Sequence, residues 1–307
     1  MSAKEGTSNN IIMSCCASCG AAEGDGIQLR TCTACKSVRY CGVTCQRNHR
    51  PKHKKACKKR AAELRDEILF RQPESTHLGD CPICLSPLPL DQDKRTFNSC
   101  CSKVVCKGCV FAYTKTLIEE QLGNTTCPFC RADFLISDDE QDQKMMKRVQ
   151  ANDPNALRHT GLMRHHEGNY AEAFQYYSKA AELGDAEAHH FLSATYHYGR
   201  GVEKDEKKEV YHLEEAAIGG HPDARYQLGI NEGKEGRIDR SVKHLIIAAN
   251  LGHDLSLQSL KVAYKDELVS KEDFASVLRA HKAAVDAMKS PQRDEAAEVF
   301  EAIARMK

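Results

Sequence analysis

The chain has 307 residues, enough for two or three folding units, and its 44 basic and 43 acidic side chains leave a formal net charge of +1. That balance excludes binding to a polyelectrolyte by bulk electrostatics. Its 16 cysteines are concentrated where long apolar runs are scarce, before residue 136, and segments of about 40 to 50 residues with so little to bury need staples of disulfide or metal.

Residues 1–14 read as a flexible tail without the basic start and apolar core of a signal peptide, and no stretch approaches the length of a membrane span. Disulfides need an oxidising compartment, so the expectation is a reducing one, cytoplasmic or nuclear, where thiolates meet zinc. The first ligand set, within residues 15–57, is Cys16, Cys19, Cys32, Cys35, Cys41, Cys45, His53 and Cys57. Two ligands separated by two residues reach one metal from a tight turn, and Zn²⁺ takes four in a closed tetrahedral site. Spacing alone leaves sequential and interleaved pairing both open. The basic run from Arg47 to Arg60, with Arg50, Lys52, Lys54, Lys55, Lys58 and Lys59, reads as a solvated face around His53 and Cys57, with a nuclear import signal or nucleic-acid patch as the competing reading. A linking segment over 58–76 carries a helix from Lys58 to Arg71, with Leu64, Ile68 and Leu69 on one side and Pro73 ending it.

The second set, within residues 77–135, is Cys81, Cys84, Cys100, Cys101, Cys106, Cys109, Cys127 and Cys130. Together the two sets predict about four structural zinc ions per chain and leave only Cys15 without a role. A linker over 136–152 follows, polar from Ser137 to Gln143, and Ser137 with Glu140 has the capping-box spacing that opens a helix towards Met145 and Val149. Asp153-Pro154 opens the next, with Asp as N-cap and Pro at the first helical position.

Over 153–268 the chain repeats itself. Ala180-Ala181, Ala216-Ala217 and Ala248-Ala249 are each followed three residues on by Gly184, Gly220 and Gly252, while Ala156, Ala188, Ala224 and Ser256 recur in step, as do Tyr177, Leu213 and Leu245. Such a period marks helix pairs stacked as a solenoid, with small residues where helices approach and glycines as left-handed caps. Residues 269–307 are expected to cap the stack. The expected fold class is small zinc-stabilised α+β domains, cross-brace in type where the finger resemblances imply interleaved ligands, followed by an all-α helical-repeat solenoid. Other chemistry is excluded residue by residue. His166-Glu167 has Tyr170 in the place of a second metalloprotease histidine, Gly199-x-Gly201 has no preceding strand, and the ligand spacing lacks the paired histidines of major-groove fingers.

Cys16-x2-Cys19, Cys32-x2-Cys35, Arg39-Tyr40-Cys41, Cys45-Gln46, His53-Lys54 and Cys57 resemble the MYND zinc finger, a protein-binding module. The resemblance implies interleaved sites, Cys16, Cys19, Cys41 and Cys45 on one zinc and Cys32, Cys35, His53 and Cys57 on the other, and Arg50 stands where the family usually carries tryptophan. Cys81-Pro82-Ile83-Cys84 with Cys106-x2-Cys109 and Cys127-Pro128-Phe129-Cys130-Arg131 resembles a RING finger, whose cross-brace implies Cys81, Cys84, Cys106 and Cys109 on one zinc. Lys103 occupies the usual histidine position and has no lone pair for a metal. Adjacent Cys100 and Cys101 must then both bend towards the ion held by Cys127 and Cys130, or that site is incomplete. The repeats, from about Asn155 to Gly252, resemble the Sel-one-like family of adaptors related to tetratricopeptide repeats.

Closed thiolate sites leave no coordination position for water, which argues against a Lewis-acid hydrolase. The RING resemblance implies a ubiquitin ligase that positions a ubiquitin-conjugating enzyme, with Ile83 and Pro128 as apolar contacts and Arg131 as the linchpin, while the repeats recruit a protein substrate or adaptor. The alternative is a non-catalytic zinc-finger and helical-repeat scaffold. Neither reading requires a membrane or nucleic acid.

Overall fold

The computed structural model describes residues 14–24, 26–121, 126–133 and 137–305. The tail expected over residues 1–14 lies, apart from Ser14, outside the described residues, and so does the end of the second finger at 134–135. Two compact units divide between Arg71 and Gln72.

In the first unit, β1 (Arg30–Thr31) and β2 (Arg39–Tyr40) form an antiparallel hairpin with Arg30 opposite Tyr40, followed by α1 (Val43–Leu69). Its small core is Cys16, Leu29, Cys32, Cys35 and Tyr40, so three of its five residues are cysteines. The helix predicted over 58–71 begins fifteen residues earlier, at Val43, and tolerates Pro51 in its interior. The reason is metal geometry: Cys45, His49, His53 and Cys57 recur every four residues and form one ridge, along which Tyr40 bonds His49 and His49 stacks on His53. Arg47, Arg50, Lys52, Lys54, Lys55, Lys58 and Lys59 are all exposed along the same helix.

The second unit starts with β3 (Arg95–Asn98) and β4 (Lys103–Cys106), an antiparallel hairpin, and α2 (Lys107–Glu119). Leu88 and Val105 pack with Cys81, Cys106 and Cys109 in its core. Then come α3 (Asp138–Gln150), α4 (Pro154–His166), α5 (Tyr170–Glu182), α6 (Ala186–Tyr198), α7 (Glu206–Ile218), α8 (Pro222–Lys234), α9 (Ile238–Asn250), α10 (Asp254–Lys265), α11 (Lys271–Ala287) and α12 (Pro291–Arg305). Helices α4 to α9 pack as successive pairs, and the residues in step along the repeat are buried: Ala156, Ala188, Ala224, Ser256, Ala180, Ala216 and Ala248 have no exposed surface. Ser137 and Asp153 cap α3 and α4 as their spacing predicts. Within residues 269–307, expected to cap the stack, α11 packs on α9 and α10, whereas α12 lies along α2, with Phe300 against Phe111 and Glu295 paired to Lys115.

The finger of this unit docks along the turns that join one repeat to the next. His77 N–H donates to Gly220 O, its ring stacks on His221, Arg95 lies 3.9 Å from Glu187, and Phe97 stacks on His159. Gly220 has φ +83, and a Cβ there would sit 2.6 Å from Ser75 O, so only glycine allows both the turn and the approach.

Position by position, the inter-repeat caps are Asp153, Asp185, His221 and His253. An imidazole caps a helix only when its ring nitrogen is unprotonated. Burial lowers His221 well below the usual histidine range and His77, stacked on it, to about 4, with His190, Arg95, Arg158, Glu187, Asp223 and His253 facing the pair. A histidine depressed in the folded state leaves stability intact above its unfolded value of 6.5 and removes it as pH falls towards 4, by on the order of 3 kcal/mol for His77. Urea titrations at pH 7.5, 6 and 5 should therefore show a steeper loss for wild type than for His77→Phe; parallel curves would refute the assignment.

Candidate metal centres

Four clusters of thiol and imidazole ligand atoms lie within the described residues, the atoms of each within 4.8 Å of one another. They are Cys16, Cys19, Cys41 and Cys45; Cys32, Cys35, His53 and Cys57; Cys81, Cys84, Cys106 and Cys109; and Cys100, Cys101, Cys127 and Cys130. Four sulfurs held about 2.3 Å from one zinc stand about 3.8 Å apart. The observed separations fit: 3.6 Å for Cys19–Cys41, 3.8 Å for Cys32–Cys57, 3.8 Å for Cys84–Cys106 and 3.9 Å for Cys101–Cys127. All sixteen cysteines are free thiols, and Cys15 alone stands outside the clusters.

A recurring backbone device presents the paired cysteines. After four of the five Cys-x-x-Cys pairs the next residue turns left-handed, at Gly20, Lys36, Leu85 and Arg131, with φ of 77°, 52°, 57° and 62°, whereas Cys106 and Cys109 sit at the start of α2. Its N–H donates to the carbonyl of the first cysteine, and in three of the four knuckles the first cysteine's own N–H donates five residues on, Cys16 to Ala21, Cys81 to Ser86 and Cys127 to Ala132. Both sulfurs thus point at one place. Hairpins then decide which knuckle meets which. In the first unit, Ala17 N–H donates to Arg39 O, which sets β2 beside the first knuckle and delivers Cys41 to it, so the pairing is interleaved. In the second, β4 brings Cys106 back to Cys81, whose sulfur accepts the Cys106 N–H.

That return leaves Cys100 and Cys101 at the far end of the β3–β4 hairpin. The turn is tightened by Cys101 N–H to Asn98 O and by Ser102 at φ +53, and Arg148 of α3 donates to Cys100 O. Cys100 then lies 3.4 Å from Cys130 and Cys101 3.9 Å from Cys127. Adjacent residues complete the set, and Lys103 is exposed.

Within the first cluster the thiols divide in acidity. Cys16, despite the burial that would raise it, is held at about 6 by N–H groups of Cys19, Cys41 and Ser18, while hydrogen bonding with Cys45 and Cys19 pushes Cys41 up to about 12. Crowded thiols divide this way because ionising one opposes ionising the next. A divalent cation draws all four to thiolate. Burial and His49 lower His53, keeping its imidazole in the neutral form that a metal accepts.

Around the second finger's knuckles, Ile83 (39%), Leu85 (76%) and Phe129 (41%) are large apolar residues left exposed, whereas Pro128 is buried in its loop. Arg131 is exposed, its guanidinium 4.5 Å from the centre of the Tyr113 ring, and the Tyr113 hydroxyl bonds Thr126. Leu85, Phe129 and Tyr113 escape a reading of ligand spacing, although the first two stand next to ligands.

These features define a zinc-finger and helical-repeat protein, a cysteine-rich zinc-binding front followed by an all-helical region, of the modular kind that mediates protein–protein interaction. Residues 16–57 match the MYND finger, and residues 156–185, 186–221 and 222–253 each match the Sel1 repeat. A stretch of 56 residues, 18% of the chain, is 30% identical to a "Putative RING finger protein ORF96" of Ostreid herpesvirus 1 (isolate France) and spans 23% of that protein's length. Among solved structures, the chain is similar to a Sel1 repeat protein from Oxalobacter formigenes, at 27% identity and TM-score 0.41, covering 49% of this chain and 65% of that one. It is also similar to c5321, a protective antigen of uropathogenic Escherichia coli with an SLR fold, at 26% identity and TM-score 0.39, covering 48% and 33%. No helix among the described residues is long and apolar enough to cross a membrane.

Proposed function

We propose that this chain is a RING-type ubiquitin ligase: the second finger holds a ubiquitin-conjugating enzyme, and the repeats, with the MYND finger, recruit the protein to be modified. In that reaction a substrate lysine attacks the thioester carbonyl, an amide bond forms, and the conjugating enzyme's thiol leaves. No covalent intermediate forms on this chain, whose contribution is orientation of two bound reactants. The observation that carries the reading is the set of exposed apolar residues on the two knuckles, Ile83, Leu85 and Phe129, beside a cationic Arg131. Helix α12 covers the side of α2 that bears Phe111 and Lys115, and Tyr113 lies on another side. A groove of mixed character, lined by His197, Glu209, Tyr226, Ile230 and Asn231, is a surface of the repeats that suits a recruited chain.

The test is ubiquitin transfer in vitro with a panel of conjugating enzymes. Wild type should form conjugates with at least one of them, and Ile83→Ala and Arg131→Ala should each lower the rate about ten-fold or more at unchanged zinc content. Silence across a broad panel, with zinc verified as bound, would instead leave a scaffold. Burial of Pro128 favours that second reading, because it removes one of the three expected contacts from the surface.

A further inference from the structure

Arg293, near the start of α12, is only 9% exposed, and its guanidinium is aimed into the finger more than 200 residues earlier in the chain. Nη2 donates to Cys84 Sγ at 3.3 Å and to Ser86 O at 3.2 Å, while Nη1 donates to Pro87 O at 2.7 Å and to Met288 O at 2.6 Å. Ser86 and Pro87 belong to the loop that leaves the knuckle, so one planar cation fixes both a ligand sulfur and the backbone behind it. The approach is built into both partners. Gly108 of α2 faces Arg293, and a Cβ at that position would come within 2.8 Å of Arg293 Cγ.

The cluster of Cys81, Cys84, Cys106 and Cys109 gives four thiolates against two charges of zinc, a net −2 in a site where three of the four cysteines are buried. A charge-assisted hydrogen bond from a guanidinium offsets part of that excess. Among the described residues Arg293 is the arginine that donates to a ligand sulfur; Arg148, at the other centre of this finger, bonds the Cys100 carbonyl and pairs with Asp153. We infer that Arg293 is an outer-sphere donor to the Cys84 thiolate, making metal retention at this one centre depend on the C-terminal helix. Arg293 is thus a positioning residue, and the inference rests on the zinc reading of the cluster, not on ubiquitin transfer.

The test follows zinc transfer from the full chain to a chromophoric chelator. Outer-sphere partners of metal ligands are commonly worth about 10- to 100-fold in affinity. Arg293→Met should therefore release one zinc ion per chain at least ten-fold faster than wild type and leave the other three unchanged. Arg293→Lys, which keeps a charge and one donor, should recover part of the difference. Gly108→Ala should resemble Arg293→Met even though alanine is the better helix former. Phe300→Ala loosens α12 without touching the donors; if it accelerates release as much as Arg293→Met and Arg293→Lys recovers nothing, packing alone accounts for the effect and the proposal fails. Equal release from wild type and Arg293→Met also overturns it. Wild type with fewer than about four zinc ions would count instead against the metal reading itself.

Discussion

Exhaustive chelation should strip about four zinc ions from each chain and abolish the tertiary NMR dispersion of both fingers, while most helical circular dichroism from the repeats persists. Structural zinc supplies about 10 to 16 kcal/mol of apparent folding energy per site in small fingers, comparable with the whole stability of an ordinary domain. The finger cores have little else: Leu29 and Tyr40 accompany three cysteines in the first, Leu88 and Val105 accompany three in the second. The repeats have their own cores, for example Leu157, Tyr177 and Leu192, and solenoid units depend on immediate neighbours. Their melting temperature should nevertheless fall, because the contacts of His77, Arg95 and Phe97 leave with the finger. Elemental analysis of Cys101→Ser should return about three zinc ions. Fingers that keep their dispersion after chelation, with all thiols titratable, would refute the metal reading.

Ligand positions are legible in the sequence because coordination leaves no freedom in residue type and little in spacing. The left-handed residue after each knuckle is less so, since only Gly20 of the four announces it; at Lys36, Leu85 and Arg131 two hydrogen bonds and a metal outweigh a cost of about 1–2 kcal/mol. Pairing cannot be read from spacing at all. It is decided by which strand lies beside which knuckle, and two-residue strands such as β1 and β2 carry too little pattern to recognise. The repeat period is plain because buried alanine and left-handed glycine answer to single steric conditions. Histidine caps are hidden: His221 and His253 stand in register with Asp153 and Asp185, but an imidazole accepts only through an unprotonated nitrogen, a form that burial, a tertiary fact, favours at His221. The reach of Arg293 into the second finger is hidden for the same reason.

Replacing Arg158 should cost more than any other single substitution outside the metal centres. Its guanidinium donates to Asp185 at 3.1 Å and to Asn155 at 3.0 Å and lies 3.2 Å from Glu187, with the three charged side chains 9–13% exposed. Arg158→Met leaves two buried carboxylates near one another, Asp185 still accepting the Ala188 N–H at 2.7 Å and Glu187 with Arg95 and His77 each 3.9 Å away. Removing one member of a buried ion cluster typically costs about 3–5 kcal/mol. The deficit should depend on pH in a definite direction. Burial already raises Asp185 above 3.8 and Arg158 opposes it, so the variant raises Asp185 further. An acid raised in the folded state is destabilising where it must ionise, so the difference between wild type and Arg158→Met should be full near pH 7 and shrink as pH falls through the raised value. Arg158→Lys should recover only part, because a single ammonium cannot span three acceptors on two helices and a turn. Urea unfolding monitored by far-UV circular dichroism measures each difference, and a loss below about 1 kcal/mol at pH 7 would mean that this cluster does not hold the finger-bearing edge of the repeats together.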